Sequence, residues 1–555
     1  MKTSFLKITK INHSAFILIY TFTFLLILYK VFSIPITHDE GSTTVTYSNF
    51  SIWQIMMYPD AWPNNHILNT VLTKIFLLLF GNDQWVVRLP NLLSFLLYAF
   101  GVFRILKTAL RSESIFFIPA ALLFVANPYL LDFFGLCRGY GMSAALATLS
   151  ASYLITGFAN LNNKNIWIGF FISFLASYAN FTLLVFWAAS VMLSWFYFFG
   201  LFRDKKGSLL KPTFIVIISC LLYAALIAIP IYKMQSTGQF QYWTSSGFYS
   251  DTMLPLITHS LYGSRYFLFP PAEIIAFLII IILVINCVLI FIRFKNSHFR
   301  IKSLFHPLCI ATAIVVLTAG ISIIQGIVLH TPDLNGRTAL FFYPLFMIAF
   351  VTSLESFSKE KSGFVGKGIS ILITFVCLIH MAGAINLKSV REWWFDVNTF
   401  KVIAYLDKSR NHQNTSLATN WLFNPSFYFY KYTGKTPWLD LKYYNRNLDP
   451  NTSATYYYVM AEDYEILKFK FEPVVKFDEG CWLLKKRLNP YQDQTKAGLA
   501  KDTESLNALI IETIRKIKED KKWMALIKEK ALKNKITVDS MLYIDARWMI
   551  ENKGK

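Results

Sequence analysis

Thr37-His38-Asp39-Glu40-Gly41 sets an imidazole and two adjacent carboxylates directly after a long apolar run. Ionisable groups at a membrane boundary are costly to desolvate, so a carboxylate pair there is a candidate for function. Neighbouring carboxylates also perturb each other's protonation. One of them can act as general base toward an acceptor hydroxyl, and the other can orient it or hold a cation. The bland alternative is an ordinary hydrated helix end.

A second stretch, Tyr58-Pro59-Asp60-Ala61-Trp62-Pro63-Asn64-Asn65-His66, is too polar for a membrane interior and too aromatic for a free loop. It suggests a long first loop, 37–65, lying against the membrane surface. Asp60 and His66 join the candidate binding residues. His66 could be a hydrogen-bond donor, a metal ligand or a helix cap. If a divalent cation is held, Asp39, Glu40 and His66 are its candidate ligands.

Arg88, Arg138, Arg265 and Arg337 lie at the ends of apolar segments, on the same side as that loop by the topology below. A guanidinium binds phosphate oxygens in bidentate fashion and stays charged, so these are candidates for a lipid-phosphate group. Interfacial snorkelling is the competing role. Arg138, in Leu136-Cys137-Arg138-Gly139-Tyr140, and Arg337, which opens an apolar helix, are the better candidates.

These residues need a frame. Apolar segments lie near 14–36, 66–80, 86–106, 115–133, 140–158, 166–182, 184–201, 212–232, 272–292, 306–330, 337–354 and 368–386. A bilayer crossing takes about 20 such residues. The linkers Arg104 to Arg111, Arg203 to Lys211, Arg293 to Lys302 and Lys359 to Lys367 are basic and belong in the cytoplasm. The opposite linkers, 37–65 included, then lie outside. Alternation fails if every segment crosses. The short 66–80 segment is the one expected not to cross fully, or else a helix within 166–201 is miscounted. About eleven to thirteen crossings and an external C-terminus follow.

Composition agrees. The chain has 555 residues, 55% hydrophobic and only 16% charged. Its net charge of +21 would suggest nucleic acid in a soluble protein. Here the basic linkers and anionic headgroups account for it, and no nucleic-acid motif is present. Lys2, Lys7 and Lys10 precede the first run, which is longer than a signal-peptide core and reads as a retained helix. Cys481 is alone in the polar C-terminal part, so no internal disulfide is expected there.

Taken in order, these motifs resemble the bacterial relatives of the protein O-mannosyltransferases, within the GT-C glycosyltransferases. The resemblance rests on Asp39-Glu40 after the first helix and on Asn64-Asn65-His66-Ile67-Leu68. It continues through Leu79-Phe80-Gly81 to Val87-Arg88-Leu89-Pro90, then Arg138-Gly139-Tyr140 and Arg337. Ser177-Tyr178-Ala179-Asn180-Phe181 departs from the pattern, with Asn180 where histidine is common. The likeness covers roughly residues 10–390. It implies a polytopic α-helical GT-C fold and a polyprenyl-phosphate-linked sugar donor, with inversion at the anomeric carbon. The acceptor is a protein, lipid or glycan, and the setting an inner (plasma) membrane with the active site extracytoplasmic. It also implies that Asp39 activates the acceptor, with Glu40 beside it as the second candidate catalytic residue; Arg138, Tyr140, Arg337, Arg88, His66 and Asp60 are the candidates for binding substrate or donor phosphate. Some members need a divalent cation and others do not. No P-loop or strand-linked Gly-x-Gly-x-x-Gly is present, which suits a lipid-carried donor.

The transmembrane region is expected to span 1–387. Residues 388–490 read as a small extracytoplasmic α/β domain, with a helix at Val402 to Leu406 and strands at Ser416 to Thr419, Tyr456 to Met460 and Cys481 to Leu484. It could select the acceptor or serve as a lid. Residues 491–555 read as a charged helical tail, with an apolar stripe of Leu506, Leu509, Ile510, Ile514 and Ile517. The rival functions are a lipid or glycan transporter or flippase, a surface-polysaccharide ligase or polymerase, and an inactive scaffold. Transporters usually show repeated halves with ionisable groups near the midplane. Here no repeat is evident and the polar candidates cluster on one side.

Overall fold

The computed structural model describes residues 2–60, 62–204, 207–238, 246–262, 271–359, 363–444, 448, 452–487, 510–534 and 538–551. Backbone groups in hydrocarbon must be satisfied within their own segment, so apolar runs of this length become helices. Helix α1 spans Lys2–Ser33, and the first loop folds into α2 (His38–Val45) and α3 (Ile52–Met56). The bundle continues with α4 (Ile67–Phe80), α5 (Gln84–Ala109), α6 (Phe117–Val125), α7 (Pro128–Phe134), α8 (Gly139–Ala159), α9 (Asn163–Ala179) and α10 (Leu184–Arg203). It closes with α11 (Leu210–Ser236), α12 (Leu254–Ser260), α13 (Pro271–Asn296), α14 (Pro307–Leu329), α15 (Phe342–Lys359) and α16 (Gly363–Ala384).

Among the described residues nine helices are long and apolar enough to cross a membrane, or ten if α6 and α7 form one span bent by 65°. Three of the apolar segments read from hydropathy fall short of this length or are interrupted, for local reasons. Helix α4 has 14 residues, about 21 Å at 1.5 Å per residue, short of a core of about 30 Å. Helix α9 has only 17 residues. The 115–133 segment breaks at Asn127-Pro128, where the Asn127 side chain accepts from the Leu130 N–H and Pro128 opens α7.

Polar contacts sort the helix ends. Asn12 Nδ2 donates to the Ser112 carbonyl at 2.8 Å, Lys302 Nζ pairs with Asp204 at 2.6 Å, and His306 lies 3.5 Å from Glu355. The first joins α1 to the end of α5, the second the end of α10 to the linker after α13, and the third the start of α14 to the end of α15. Thr108 beside Thr156 and Phe158 beside Phe305 connect these ends through α8. The basic linkers therefore gather at one end of the bundle. The C-terminus of α1, α2, the N-terminus of α8 and Arg337 meet at the other.

Beyond α16, residues 388–398 lead into α17 (Thr399–Ser409) and a sheet. Strand β1 (Thr415–Asn420) pairs in parallel with β2 (Leu439–Tyr444), Thr415 opposite Leu439, and with β3 (Tyr456–Met460), Leu417 opposite Tyr456. Parallel pairing requires a crossover, supplied between β1 and β2 by α18 (Asn424–Tyr432). Tyr456, Tyr457, Tyr458 and Val459 are all buried, as expected of a strand covered on both faces. The helix expected at 402–406 and the strand at 456–460 are present. The strand at 416–419 lengthens by a residue at each end. Strand β2 was not expected, although Leu439-Asp440-Leu441-Lys442-Tyr443 alternates apolar and polar residues.

The chain forms two compact units. The first contains Met1–Met460 and Lys476–Leu483, and so holds both the membrane helices and most of the sheet. The second contains Ala461–Val475 and Leu484–Lys555. In it, Ile510, Ile517, Ile527, Ala531, Met541, Leu542 and Ala546 form a small core between the 510–519 helix, α20 (Lys521–Asn534) and α21 (Val538–Glu551). The short helix α19 (Tyr464–Leu467) also belongs there. Leu506 and Leu509 of the expected stripe, and the Asn489-Pro490 punctuation, lie outside the described residues.

Candidate active site

Helix α2 begins as the chain leaves α1, and its first turn divides the two carboxylates. Glu40 is fully buried and turned toward α5. Arg88 Nε donates to Glu40 Oε1 at 2.8 Å and Nη2 donates to Oε2 at 2.7 Å. The other Arg88 N–H groups go to the carbonyls of Val31, Ile34 and Pro35 at 2.7–2.9 Å. All five guanidinium donors are thus used. Glu40 also accepts from the Thr37 N–H at 3.0 Å and the Cys137 N–H at 2.7 Å. The pair ties α1, α2, α5 and the turn before α8 together, and neither member has capacity left for a substrate.

Asp39 points the other way. Its Oδ2 lies 3.3 Å from Arg138 Nη2 and 3.4 Å from Arg337 Nη1, yet is buried without a hydrogen bond. His38 Nε2 is 3.9 Å from Oδ1. Burial pushes the Asp39 carboxyl up, but Arg138, Arg337 and His38 together overcome it and hold it below its ordinary value. Arg138 is buried and donates from Nη1 to Thr43 Oγ1 and the Asn64 carbonyl, both at 3.2 Å. Its Nε has no partner. Arg337, with its side chain one-third exposed, lies over the rings of Tyr140 at 5.8 Å and Trp393 at 5.1 Å.

His66 caps α4 and packs its ring edge-on against Tyr140 at 4.7 Å. Burial first, then Arg138 and Arg337, push its pKa well below the usual value, so the ring is neutral. The Ala179 carbonyl receives one ring N–H, while Nε2 is buried and unpartnered. Gly139 permits this packing. A Cβ there would stand 2.2 Å from the Ala179 oxygen and 2.8 Å from His66 Cβ. Asn180 caps the following turn by accepting from the Thr182 N–H at 3.2 Å, which occupies the position where histidine was expected. Asp60 accepts from Tyr47 Oη at 3.0 Å and the Trp62 N–H at 3.1 Å.

The structure thus gathers Asp39, His66, Arg138, Tyr140 and Arg337, and assigns Glu40 and Arg88 to a separate clamp. Arg265 lies outside the described residues. Among the described residues no group of three or more His, Cys, Asp or Glu side chains could hold a metal ion. Asp39, Glu40 and His66 do not converge. Glu40 is saturated by Arg88, and two guanidiniums flank Asp39, a poor setting for a cation.

Sequence reasoning missed the contribution of Arg391-Glu392-Trp393-Trp394-Phe395-Asp396. Glu392 accepts from Tyr129 Oη and lies 3.3 Å from His259 Nδ1 and 3.9 Å from Arg337 Nη1. Burial raises its carboxyl, but His259, Arg337 and Tyr129 outweigh this and lower it. The Arg391 N–H donates to Asp132 at 3.1 Å and anchors the segment to α7, where Asp132 also pairs with Lys30 of α1. The stretch is charged and aromatic directly after an apolar helix, the same signal that marked residues 58–66.

An apolar groove of about 410 Å³ opens between α10 and α14. Leu184, Trp187, Ile321, Ile324, Val328 and Leu329 line it. These residues belong to the helix ends on the Asp39 side of the bundle.

No protein-family model matches the chain, and no curated protein matches it. Several solved structures are similar to it. ArnT from Cupriavidus metallidurans bound to undecaprenyl phosphate is 12% identical, with a TM-score of 0.44, over 85% of this chain and 98% of that one. The Archaeoglobus fulgidus oligosaccharyltransferase tethered to an acceptor peptide is 10% identical, with a TM-score of 0.40, over 75% of this chain and 63% of that one. AglB from Archaeoglobus fulgidus, in complex with an inhibitory peptide and a dolichol-phosphate, is 8% identical, with a TM-score of 0.41, over 87% of this chain and 75% of that one.

Proposed function

We propose that this chain is an integral membrane glycosyltransferase of the GT-C type that moves a sugar from a polyprenyl-phosphate donor onto an acceptor hydroxyl. The observation that carries the reading is Asp39 Oδ2, buried without a hydrogen bond between the guanidiniums of Arg138 and Arg337. Two guanidiniums within 3.4 Å of one carboxylate oxygen suit phosphate oxygens, and an ionised, under-coordinated carboxylate suits a hydroxyl proton. A structural ion pair would leave neither need unmet.

In this reading the donor phosphate engages Arg138 and Arg337, and the prenyl chain leaves the site along the apolar groove between α10 and α14. The acceptor oxygen attacks the anomeric carbon from the face opposite the phosphate. The bond from that carbon to the phosphate oxygen breaks, and the polyprenyl phosphate departs with the electron pair. The acceptor proton passes to Asp39, and the anomeric centre inverts. The Arg88–Glu40 clamp holds α2 still while this occurs. His66, neutral with Nε2 open, accepts a hydrogen bond from a sugar or acceptor hydroxyl.

The basic linkers sit at the bundle end opposite Asp39. The positive-inside rule therefore favours an extracytoplasmic site, in the inner membrane of a bacterial cell. The acceptor is a protein, lipid or glycan.

The test uses purified protein in lipid with a panel of labelled polyprenyl-phosphate sugars. Wild type should turn over at least one donor, and a folded Asp39→Asn variant should not. Equal turnover by both would remove Asp39 from the mechanism. No turnover of any donor, with a panel of peptide, lipid and glycan acceptors present, would count against the transferase reading.

A further inference from the structure

The first turn of α2 is held from a side that the Arg88–Glu40 clamp does not reach. The His38 N–H, one of the first-turn donors without an intrahelical partner, donates to Asp396 Oδ2 at 2.7 Å. Asp396 is buried, and its Oδ1 accepts from Ser426 Oγ of α18 at 2.6 Å. The His38 ring completes the attachment. Its Nδ1 lies 2.9 Å from the Leu422 carbonyl, and the ring meets Trp421 edge-on at 5.5 Å. Just upstream, the Ile36 N–H donates to Tyr430 Oη at 2.8 Å, and Tyr430 Oη donates to Gln84 at 2.7 Å.

Backbones also approach closely here. A Cβ on Gly41 would stand 2.4 Å from the Pro425 carbonyl oxygen. Residues Ile36 to Gly41 are therefore gripped by the Trp421–Tyr430 stretch of the α/β region. Asp39 is the one side chain of this turn that faces neither clamp.

We infer that Asp396 is a positioning residue through which the α/β region sets the aim of the Asp39 carboxylate. The α/β region is on this account a working part of the active site. Asp396 itself touches no reacting group, since both its oxygens accept from protein donors. This rests on the transferase reading for its kinetic consequence and on geometry alone for the grip on α2. Misplacement of a reacting group by about 1 Å can cost roughly a hundredfold in rate, so a slackened first turn should register strongly.

Two variants separate positioning from chemistry. Asp396→Ala removes both acceptors. Asp396→Asn keeps an oxygen for the His38 N–H and offers Ser426 Oγ an N–H instead, which a hydroxyl can accept. The full-length protein in lipid nanodiscs is followed by amide exchange over residues 36–45 and by turnover of a polyprenyl-phosphate sugar. Asp396→Ala should lose protection over 36–45 and drop kcat by roughly 10- to 100-fold, with donor KM within about twofold. Asp396→Asn should restore both. Unchanged protection in Asp396→Ala overturns the inference, and so does lost protection with unchanged kcat. An inactive but protected Asp396→Asn variant would make Asp396 a participant in the chemistry and overturn it too. If wild type turns over no donor, the transferase reading fails, while the exchange comparison still decides whether Asp396 holds α2.

Discussion

Asp39 and Glu40 are neighbours in the chain, yet α2 sends their carboxylates to separate partners: Glu40 into a bidentate pair with Arg88, Asp39 between Arg138 and Arg337. One carboxylate is saturated and the other is short of hydrogen bonds. Their substitutions should separate accordingly. Asp39→Asn should lower kcat by about 10²–10⁴-fold, the usual worth of a positioned base, without lowering the melting temperature. Donor binding should hold or tighten, because both guanidiniums are released. Glu40→Ala strands a buried Arg88 and should cost about 3–5 kcal/mol of stability. Kinetics beside thermal melts decide it. A stable, inactive Glu40→Ala variant would reverse the two assignments.

The electrostatics of Asp39 give the pH profile a direction. The base acts only when ionised, and Arg138 and Arg337 hold its pKa below the ordinary value. The acid limb of kcat/KM for the free enzyme should therefore lie below that of an ordinary aspartate. A bound donor phosphate draws the guanidiniums to itself. Asp39 then stays buried with less positive charge beside it, and its pKa rises. The acid limb of kcat should lie at higher pH than that of kcat/KM. Rates from pH 3.5 to 8 with saturating and limiting donor test this, and coincident limbs would refute the coupling.

Much of the frame was legible because long apolar runs and basic linkers have one physical meaning in a bilayer. Asp39, Arg138 and Arg337 could be named because charges at apolar helix ends are costly and so stand out. Their convergence could not be read, since it depends on how α2, α8 and α15 pack. Nor could the division between Asp39 and Glu40. Periodicity does not tell which face of a single turn meets Arg88. Hydropathy sees the apolar content of 115–133 and not the break at Asn127-Pro128. Glu392, Trp393 and Asp396 were missed because they follow the last apolar helix and fall in the stretch read as a separate α/β domain, although their charged-aromatic mixture matched that of residues 58–66.

The two arginines should differ in their tolerance of lysine. Arg138 is buried and spends Nη1 on Thr43 and Asn64. A lysine cannot reproduce that fork, and it is harder to desolvate. Arg337 is one-third exposed and stacked between Tyr140 and Trp393. Arg138→Lys should raise donor KM by about 10- to 100-fold, the worth of one charged hydrogen bond of about 1.5–3 kcal/mol. Arg337→Lys should cost less than Arg138→Lys. Steady-state kinetics with one donor settle the order, and equal losses would mean that the two contact the phosphate alike.

Gly139 offers a test that changes no charge. It stands where α8 begins, against the Ala179 carbonyl and the His66 side chain, and no Cβ fits there. Gly139→Ala must displace α9, His66 or the start of α8, and each of these supports the Asp39 pocket. Overpacking of this kind costs about 1–3 kcal/mol, which a membrane bundle of this size should survive folded. Activity should fall much further than stability, because Arg138 and Tyr140 flank the substituted residue and move with it. The comparison is Gly157→Ala on the same helix, where a Cβ would meet the Ile166 side chain at 2.7 Å, far along α8 from the site. That variant should show a similar loss of melting temperature with turnover retained. If both variants lose turnover in proportion to stability, Gly139 is a packing residue and the site does not depend on its close approach to His66.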